Sequence, residues 1–266
     1  MKSRTRLDRL LVDRALAPTR AKAQGLILAG QVLVDEQKVE KCGALVAEGA
    51  ALRLTGAHLK YASKYASRAG LKLEGALDYF SSVDVRGRVC LDIGASTGGF
   101  TDCLLQRGAS RVFAVDVGTH QLDWRLRSDP RVVSLEKVNA RYLTLPQIGA
   151  RVSLAVMDVS FISATLILPV LPPLLEPGAG ALVLVKPQFE AGKGQVGKGG
   201  IVRDERLHRE AVEKVSKKLA DLGFGGIAST ESVLPGAGGN REYFVYAMWG
   251  AVDSPLSAVD SGLPGR

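Results

Sequence analysis

Six short apolar runs constrain this chain more than any other feature: "RVCLDIG" from Arg88, "RVFAVDVG" from Arg111, "RVVSLE" from Arg131, "LAVMDVS" from Leu154, "ALVLVKP" from Ala181 and "EYFVYAMW" from Glu242. Amphipathic stretches separate them, and each run lies about 20 to 30 residues from the next until the last gap. A strand buried on both faces reads as a nearly continuous apolar run, and helices between such strands cover the two faces. The rhythm therefore predicts an α/β chain with a doubly wound, Rossmann-like sheet. Around "ESVLPGAGGNREYFVYAMW" only a Gly/Pro-rich loop separates the last two strands, which predicts an antiparallel hairpin at the sheet edge and an antiparallel last strand.

Charge separates the first quarter from this sheet. Residues 1 to 72 hold 14 basic and 6 acidic side chains, whereas residues 73 to 266 hold 21 of each, so the whole net charge of +8 lies at the start. Clustered Lys and Arg attract polyanions by releasing counterions, although a solvated surface has the same composition. Within that quarter Leu7, Leu10, Leu11 and Ala15 keep helical spacing up to Pro18. Thr19 is placed to cap a second helix that turns Ala23, Leu26 and Ile27 inward, and Gly30 ends it. Val32 and Val34 then alternate into a turn around Asp35. Arg4, Arg6, Arg20 and Lys22 fall outside the apolar stripes and are candidates for one basic surface, with Lys41 and Arg68 further along.

Cys42, Cys90 and Cys103 are too few and too far apart for a disulfide framework, and with His58, His120 and His208 they make no metal-ligand pattern. A reduced cytoplasmic compartment and no metal are expected. The most lipid-like run, "LILPVLPPLLEPG", is broken by Pro169, Pro172 and Pro173 and falls short of the roughly 20 residues of a spanning helix, so no membrane partner is expected.

In an open α/β sheet the ligand lies at the carboxyl ends of the strands, which directs attention to the first strand-to-helix loop, Gly94–Phe100. Gly94 and Gly99 fit the outer positions of a dinucleotide fingerprint, but Ser96 occupies the middle, where a pyrophosphate needs Gly. Asp92 ends the strand before the loop and is expected to point toward it, disfavouring phosphate and favouring a cationic ligand. Asp116 ends the next strand, 24 residues on, where a carboxylate can accept from ribose hydroxyls. A positively charged nucleoside without phosphate, S-adenosylmethionine, meets these conditions. Its expected binding residues are Asp92, Gly94, Ala95, Ser96, Thr97, Gly98, Gly99, Phe100, Asp116 and Val117, with Asp158 at the same rim. "GKGQVGKG" from Gly192 mimics a phosphate-binding loop but has Gly199 in place of the magnesium-holding hydroxyl; a lid or a contact to a nucleic-acid backbone is the better reading.

Asp158 and Lys186 each interrupt an apolar run at its end, so both side chains should converge on that rim and pair. A partly desolvated Lys186 there can help remove a hydroxyl proton, although a purely structural ion pair would read the same way. Lys72 is a candidate neighbour, on a helix begun by Ser67-Arg68 that buries Leu71, Leu73 and Leu77 and leaves Lys72 on another face; Glu242 can orient one of the amines.

Two resemblances join these readings. Arg6-Leu7-Asp8, Arg20, Ala23, Ile27, Gly30, Val32 and Val34 resemble the small α+β RNA-binding module shared by ribosomal protein S-four, pseudouridine synthases and tyrosyl-tRNA synthetases. Lys72, Asp158, Lys186 and Glu242 around "DIGASTGGFT" resemble the catalytic Lys-Asp-Lys-Glu tetrad of FtsJ-like ribose 2'-O-methyltransferases. With "ASRAGLKLEGAL", "DVSFIS", "VKPQFEAGKGQVGKGGIVRD" and "PGAGGNREYF", nearly the whole chain is similar to the TlyA family. That resemblance implies a methyltransferase sheet over residues 68–250 and an S-four-like domain over 1–60, joined by a linker at 61–67; the tail at 251–266 lacks a sustained apolar period and is expected to be flexible. It further implies 2'-O-methylation of a cytidine ribose in 23S rRNA, in some members 16S rRNA as well, with ribosomal RNA or subunits as partner, Lys186 as the central amine, and Asn139 of "VNAR" near the adenine. The linker "KYASKYASR" departs from relatives, which carry a tryptophan-bearing tetrapeptide. A non-catalytic RNA-binding assembly factor and a membrane-lytic haemolysin are the competing readings.

Overall fold

Thr19 divides the first helical stretch in two, and the short strands around it complete a small α+β unit. A computed structural model describes residues 4–14, 16–17, 19–54, 64–192, 194–236 and 239–250, and the chain divides into two units, residues 1–64 and 65–266. Ala15, Pro18, linker residues 61–63 and the tail 251–266 lie outside the described residues. The first unit contains β1 (Arg4–Arg6), α1 (Leu7–Asp13), α2 (Arg20–Leu28), β2 (Val32–Val34), β3 (Gln37–Lys38), β4 (Leu45–Ala47) and β5 (Leu52–Leu54). The Thr19 hydroxyl caps α2 by accepting from the Lys22 N–H. Leu7, Leu10, Leu11, Ala23 and Ile27 close over Val32, Val46 and Leu54. Asp35 and Glu36 both take positive φ (49° and 64°), the two-residue turn that matches strand twist in the β2–β3 hairpin. The pairings of β1 with β4 and of β2 with β5 were not legible beforehand, because three residues are too short to display a period.

The second unit contains α3 (Ala69–Tyr79), β6 (Val89–Ile93), α4 (Gly99–Gln106), β7 (Arg111–Val115), α5 (Trp124–Arg127), β8 (Val132–Leu135), α6 (Leu145–Ile148), β9 (Val152–Met157), α7 (Leu171–Leu174), β10 (Leu175–Val185), α8 (Pro187–Glu190), α9 (Glu205–Asp221), β11 (Phe224–Glu231) and β12 (Tyr243–Trp249). They form one seven-stranded sheet in the order β8-β7-β6-β9-β10-β12-β11. β8 through β10 are parallel, whereas β12 runs antiparallel to both its neighbours. Strand order reverses between β6 and β9, the crevice where α/β sheets bind ligands.

Period-two alternation distributes the runs between two cores. Cys90, Val112, Ala114, Leu154, Val156, Leu182, Leu184, Phe244 and Tyr246 pack against Leu73, Leu77, Phe100 and Leu104 of α3 and α4. Leu91, Ile93, Phe113, Val115, Ala155, Met157, Val183, Val185 and Val245 pack on the other face, against Leu171, Ala211, Val215 and Leu219 of α7 and α9. The edge hairpin has the expected antiparallel pairing, but its first strand is Phe224–Glu231 rather than the "ESVL" stretch, and β12 enters between β10 and β11. A register shift between Gly225 and Ala228 accommodates the Gly225-Gly226 pair that hid this strand from its pattern.

Candidate active site

The loop after β6 is shaped by what presses on it. At Gly94 (φ 86°) a side chain would run into the Asp158 carbonyl oxygen, so the ends of β6 and β9 touch backbone to backbone. At Gly99 a Cβ would meet Ser67 and lie 2.9 Å from the Gly70 nitrogen, because the start of α3 abuts the start of α4. Asp116 fastens the loop to the next strand end: Oδ2 accepts from the Ser96 N–H at 2.8 Å and Oδ1 from the Gly118 N–H at 2.7 Å. A carboxylate has about four acceptor sites, so these two bonds leave acceptor capacity over on Asp116. The Ser96 hydroxyl donates to Gln121 Oε1 at 3.3 Å.

Asp92 does not point openly into the loop as expected. It is in phase with Cys90 and so faces α4, fully buried, where the Thr101 hydroxyl donates to its Oδ2 at 2.6 Å. Its other oxygen, Oδ1, is buried without a hydrogen-bond partner. Burial pushes its carboxyl up to about 7, with the charges of Asp158 and Asp116 adding to the rise.

At the rim Lys186 Nζ lies 2.6 Å from Asp158 Oδ1, and it donates to Ser160 Oγ at 2.8 Å. Both charged side chains are largely enclosed, 11% and 16% exposed. A cavity of ≈ 160 Å³ opens here, lined by Ser67, Ala69, Gly94, Ala95, Ser96, Thr97, Phe100, Asp158, Ser160 and Lys186. A second recess shares Ala95 and Ser96 and continues past Asp116, Gly118, Gln121 and Glu136. The expected cavity neighbour Lys72 is instead paired with Glu242, donating from Nζ to Oε2 at 2.5 Å. Lys72 is also on the buried face of α3 with Leu73, Ala76 and Leu77, not on a separate face. Glu242 reaches this end of the sheet because antiparallel β12 begins where β10 finishes, with Tyr243 opposite Val185. Gly236 makes room for the Glu242 carboxylate.

Other expected positions are dispersed. Val117 is 74% exposed; Asn139 is exposed, accepts from the Arg141 N–H at 3.1 Å and lines neither hollow. Asn240 holds the glycine-rich segment from Gly192, accepting from the Val202 N–H at 3.0 Å and donating to the Gly200 carbonyl at 2.9 Å. In the second unit Arg68 donates to the Pro235 carbonyl at 2.9 Å, tying the start of α3 to the loop before Glu242. In the first unit Arg4, Arg6, Arg20, Lys22 and Lys41 are exposed, but Arg6 and Arg20 converge on buried Asp8 at 2.9 Å each. Gln24 adds a third donor at 2.8 Å, and together these hydrogen bonds hold the Asp8 carboxyl well below the usual carboxylate range.

Three contributors escaped sequence reasoning. Ser160 lies two positions after Asp158, Thr101 is on the helix above Asp92, and Ser67 precedes α3; only tertiary proximity distinguishes them from other hydroxyls.

The FtsJ-like methyltransferase family matches residues 65–249, and the S4 domain matches residues 5–52. The 16S/23S rRNA (cytidine-2'-O)-methyltransferase TlyA of Mycobacterium tuberculosis is 47% identical over 246 residues, 92% of this chain and 90% of that one. The chain belongs to the TlyA family. A second TlyA-like relative, Hemolysin A of Brachyspira hyodysenteriae, is 42% identical over 91% of this chain and 98% of its own length. A solved Streptococcus thermophilus chain bearing a provisional hemolysin name is 42% identical, covers 96% of this chain and 91% of its own, and superposes with a TM-score of 0.71. Despite the hemolysin names, no helix among the described residues is long and apolar enough to cross a membrane. The TlyA architecture of this chain is therefore an S4 domain followed by the sheet of S-adenosylmethionine-dependent methyltransferases.

Proposed function

We propose that this TlyA-family chain transfers a methyl group from S-adenosylmethionine to the 2'-hydroxyl of a cytidine ribose in ribosomal RNA, with 23S rRNA as the first substrate to test and 16S rRNA as the second. The observation that carries the reading is the Lys186 ammonium held between Asp158 and Ser160 at a cavity bordered by the Gly94–Phe100 loop. With that substrate the chain works in the cytoplasm, beside the ribosome.

The residues present fit the cofactor. Asp158 lines the first hollow and Asp116 and Glu136 the second, and these carboxylates suit a cationic ligand and oppose a phosphate. The Gly94–Phe100 loop, Asp116 and Asp158, which line the two hollows, would hold it. When bound, S-adenosylmethionine supplies an electrophilic methyl group on a sulfonium.

The chain contributes positioning and the handling of one proton. An ammonium has three N–H donors. Lys186 directs one to Ser160 and pairs its charge with Asp158, leaving a donor for a ribose oxygen in the cavity. The hydroxyl proton must leave as its oxygen becomes bonded to carbon; Lys186 as an ammonium has no lone pair for it, so the Asp158 carboxylate beside it at the cavity wall is the group that takes it, while the ammonium steadies the oxygen. Lys72 and Glu242 neutralise one another one turn inside the α3 start that lines the cavity, keeping that wall rigid. In the first unit the exposed Arg and Lys side chains would grip RNA phosphates.

The test is methyl transfer from tritiated S-adenosylmethionine to unmodified ribosomal subunits, comparing the native chain with Lys186→Ala and mapping the product by reverse-transcription stops at low nucleotide concentration. Label on one cytidine ribose, lost in the variant, is expected. No label on any ribosomal RNA, with cofactor binding intact, would overturn the reading.

A further inference from the structure

We propose that Glu190 is a positioning residue that locks together the two loops carrying Asp158, Ser160 and Lys186; this inference rests on the methyl-transfer reading above. Lys186 ends β10, and the single turn of α8 carries the chain from there to Glu190. Asp158 ends β9, and its loop runs through Ser160 to Ser163, the cap of a short 3-10 turn at Ala164–Leu166. Glu190 bridges the two. Its Oε1 accepts from the Ala164 N–H at 2.7 Å, and its Oε2 accepts from the Ser163 hydroxyl at 2.5 Å. Lys214 on α9 lies 3.0 Å from the same Oε2 and donates to the Glu190 carbonyl at 2.9 Å.

Three features make this more than a satisfied core acid. First, the Glu190 side chain is only 2% exposed, and a carboxylate so enclosed is costly unless its partners are fixed, so the bonds hold as a set. Second, the bridged loop contains a strained residue: Phe161, immediately after Ser160, adopts φ 65°, a left-handed conformation that an aromatic residue keeps only when its surroundings impose it. Third, the same two loops meet again outside, where the Phe161 and Phe189 rings lie 5.3 Å apart. The bend that places Ser160 beside Lys186 is thus held on the inside by Glu190. Neither Glu190 nor Ser163 lines the cavity, so any effect on turnover must act through the residues that do. Misplacing a catalytic group by about 1 Å costs on the order of 100-fold in rate, whereas uniform cofactor binding is indifferent to it.

The experiment measures kcat, the KM for S-adenosylmethionine and the melting temperature for the full chain on ribosomal subunits, in Glu190→Ala, Ser163→Ala and Lys214→Met, beside the native chain and Lys186→Ala. Lys214→Met removes the cation but leaves both loop hydrogen bonds. Glu190→Ala is expected to lower kcat about 10- to 100-fold with the cofactor KM within about twofold, and Ser163→Ala about fivefold. Lys214→Met is expected to melt earlier yet keep kcat within about threefold. Native kcat in Glu190→Ala, or in Ser163→Ala where Glu190→Ala does not fold, overturns the proposal. So does a kcat loss in Lys214→Met equal to that in Ser163→Ala. If the native chain labels no RNA, the methyl-transfer reading itself fails and takes this inference with it; if Lys186→Ala labels RNA at the native rate, methyl transfer stands but Lys186 has no part in it, and this inference fails alone.

Discussion

The two units each gather cations around a carboxylate, and they do so with opposite exposure. In the first, Asp8 is fully buried while the Arg6 and Arg20 side chains stay 46% and 57% exposed. In the second, the cations are enclosed as well: Lys186 is 11% exposed beside Asp158, and Lys72 10% beside Glu242. Under the proposed function the difference separates two tasks. A buried acid that fixes two exposed guanidinium groups presents positive charge to a large polyanion in water, where the contact is screened by salt. An enclosed amine is shielded from water, so its charge and its proton act on one reacting atom at close range.

The sharpest way to break this comparison is to remove the enclosed amine. Lys186→Ala should lower kcat by about 10²- to 10⁴-fold while S-adenosylmethionine affinity, read by calorimetry, changes little. A collapse of cofactor affinity instead would make Lys186 a binding group rather than a proton-handling one.

Next in size is the buried pair. Lys72→Met strands the Glu242 carboxylate and should cost about 3–5 kcal/mol in urea unfolding. The double variant Lys72→Met/Glu242→Leu should recover most of that stability; if it recovers methyl transfer too, the pair is structural alone.

Asp92 gives a pH-dependent effect. Its folded value near 7 exceeds the unfolded carboxylate value, so between about pH 4 and pH 7 the folded chain keeps a proton that the unfolded chain has released. Stability without cofactor should therefore fall as pH rises through that window, by up to about 4 kcal/mol, and level off above it. Asp92→Asn should flatten the profile, and melting temperatures of both forms across pH 5 to 8 would expose an unchanged slope.

The smallest effect belongs to the exposed cluster. Arg20→Gln should reduce the slope of log affinity for ribosomal RNA against log salt by about 1, with little change in kcat. An unaltered salt slope would mean that Arg20 serves Asp8 and not the RNA.

Charges that break apolar runs were the most legible part of the site. Asp158 and Lys186 stand at strand ends where a charge has no reason to be unless it is paired, and parallel strands bring such ends to one rim. Lys72 is illegible for the opposite reason. It sits at the margin of the Leu73–Leu77 stripe, and its burial depends on Glu242, 170 positions away, which local spacing cannot report. The place of Asp92 at a strand end is visible in the sequence, but the side to which it turns follows from the phase of Cys90 under α4. Ser160, Thr101 and Glu190 carried no signal at all, since hydroxyls and acids are common and only their distances single them out.

Apolar periodicity determined the layered sheet and the crossover rhythm, because these are set by which faces can leave water, a property of neighbours in the chain; the charge count marked the basic first unit, and Pro18, Thr19 and Gly30 its helix breaks. The insertion of β12 between β10 and β11, the pairing of Lys72 with Glu242 and the Glu190 bridge between two strand-end loops were decided by tertiary structure alone. Each depends on groups that become neighbours only once the sheet has closed, when burial makes an unpaired charge costly and leaves one geometry in which all are satisfied.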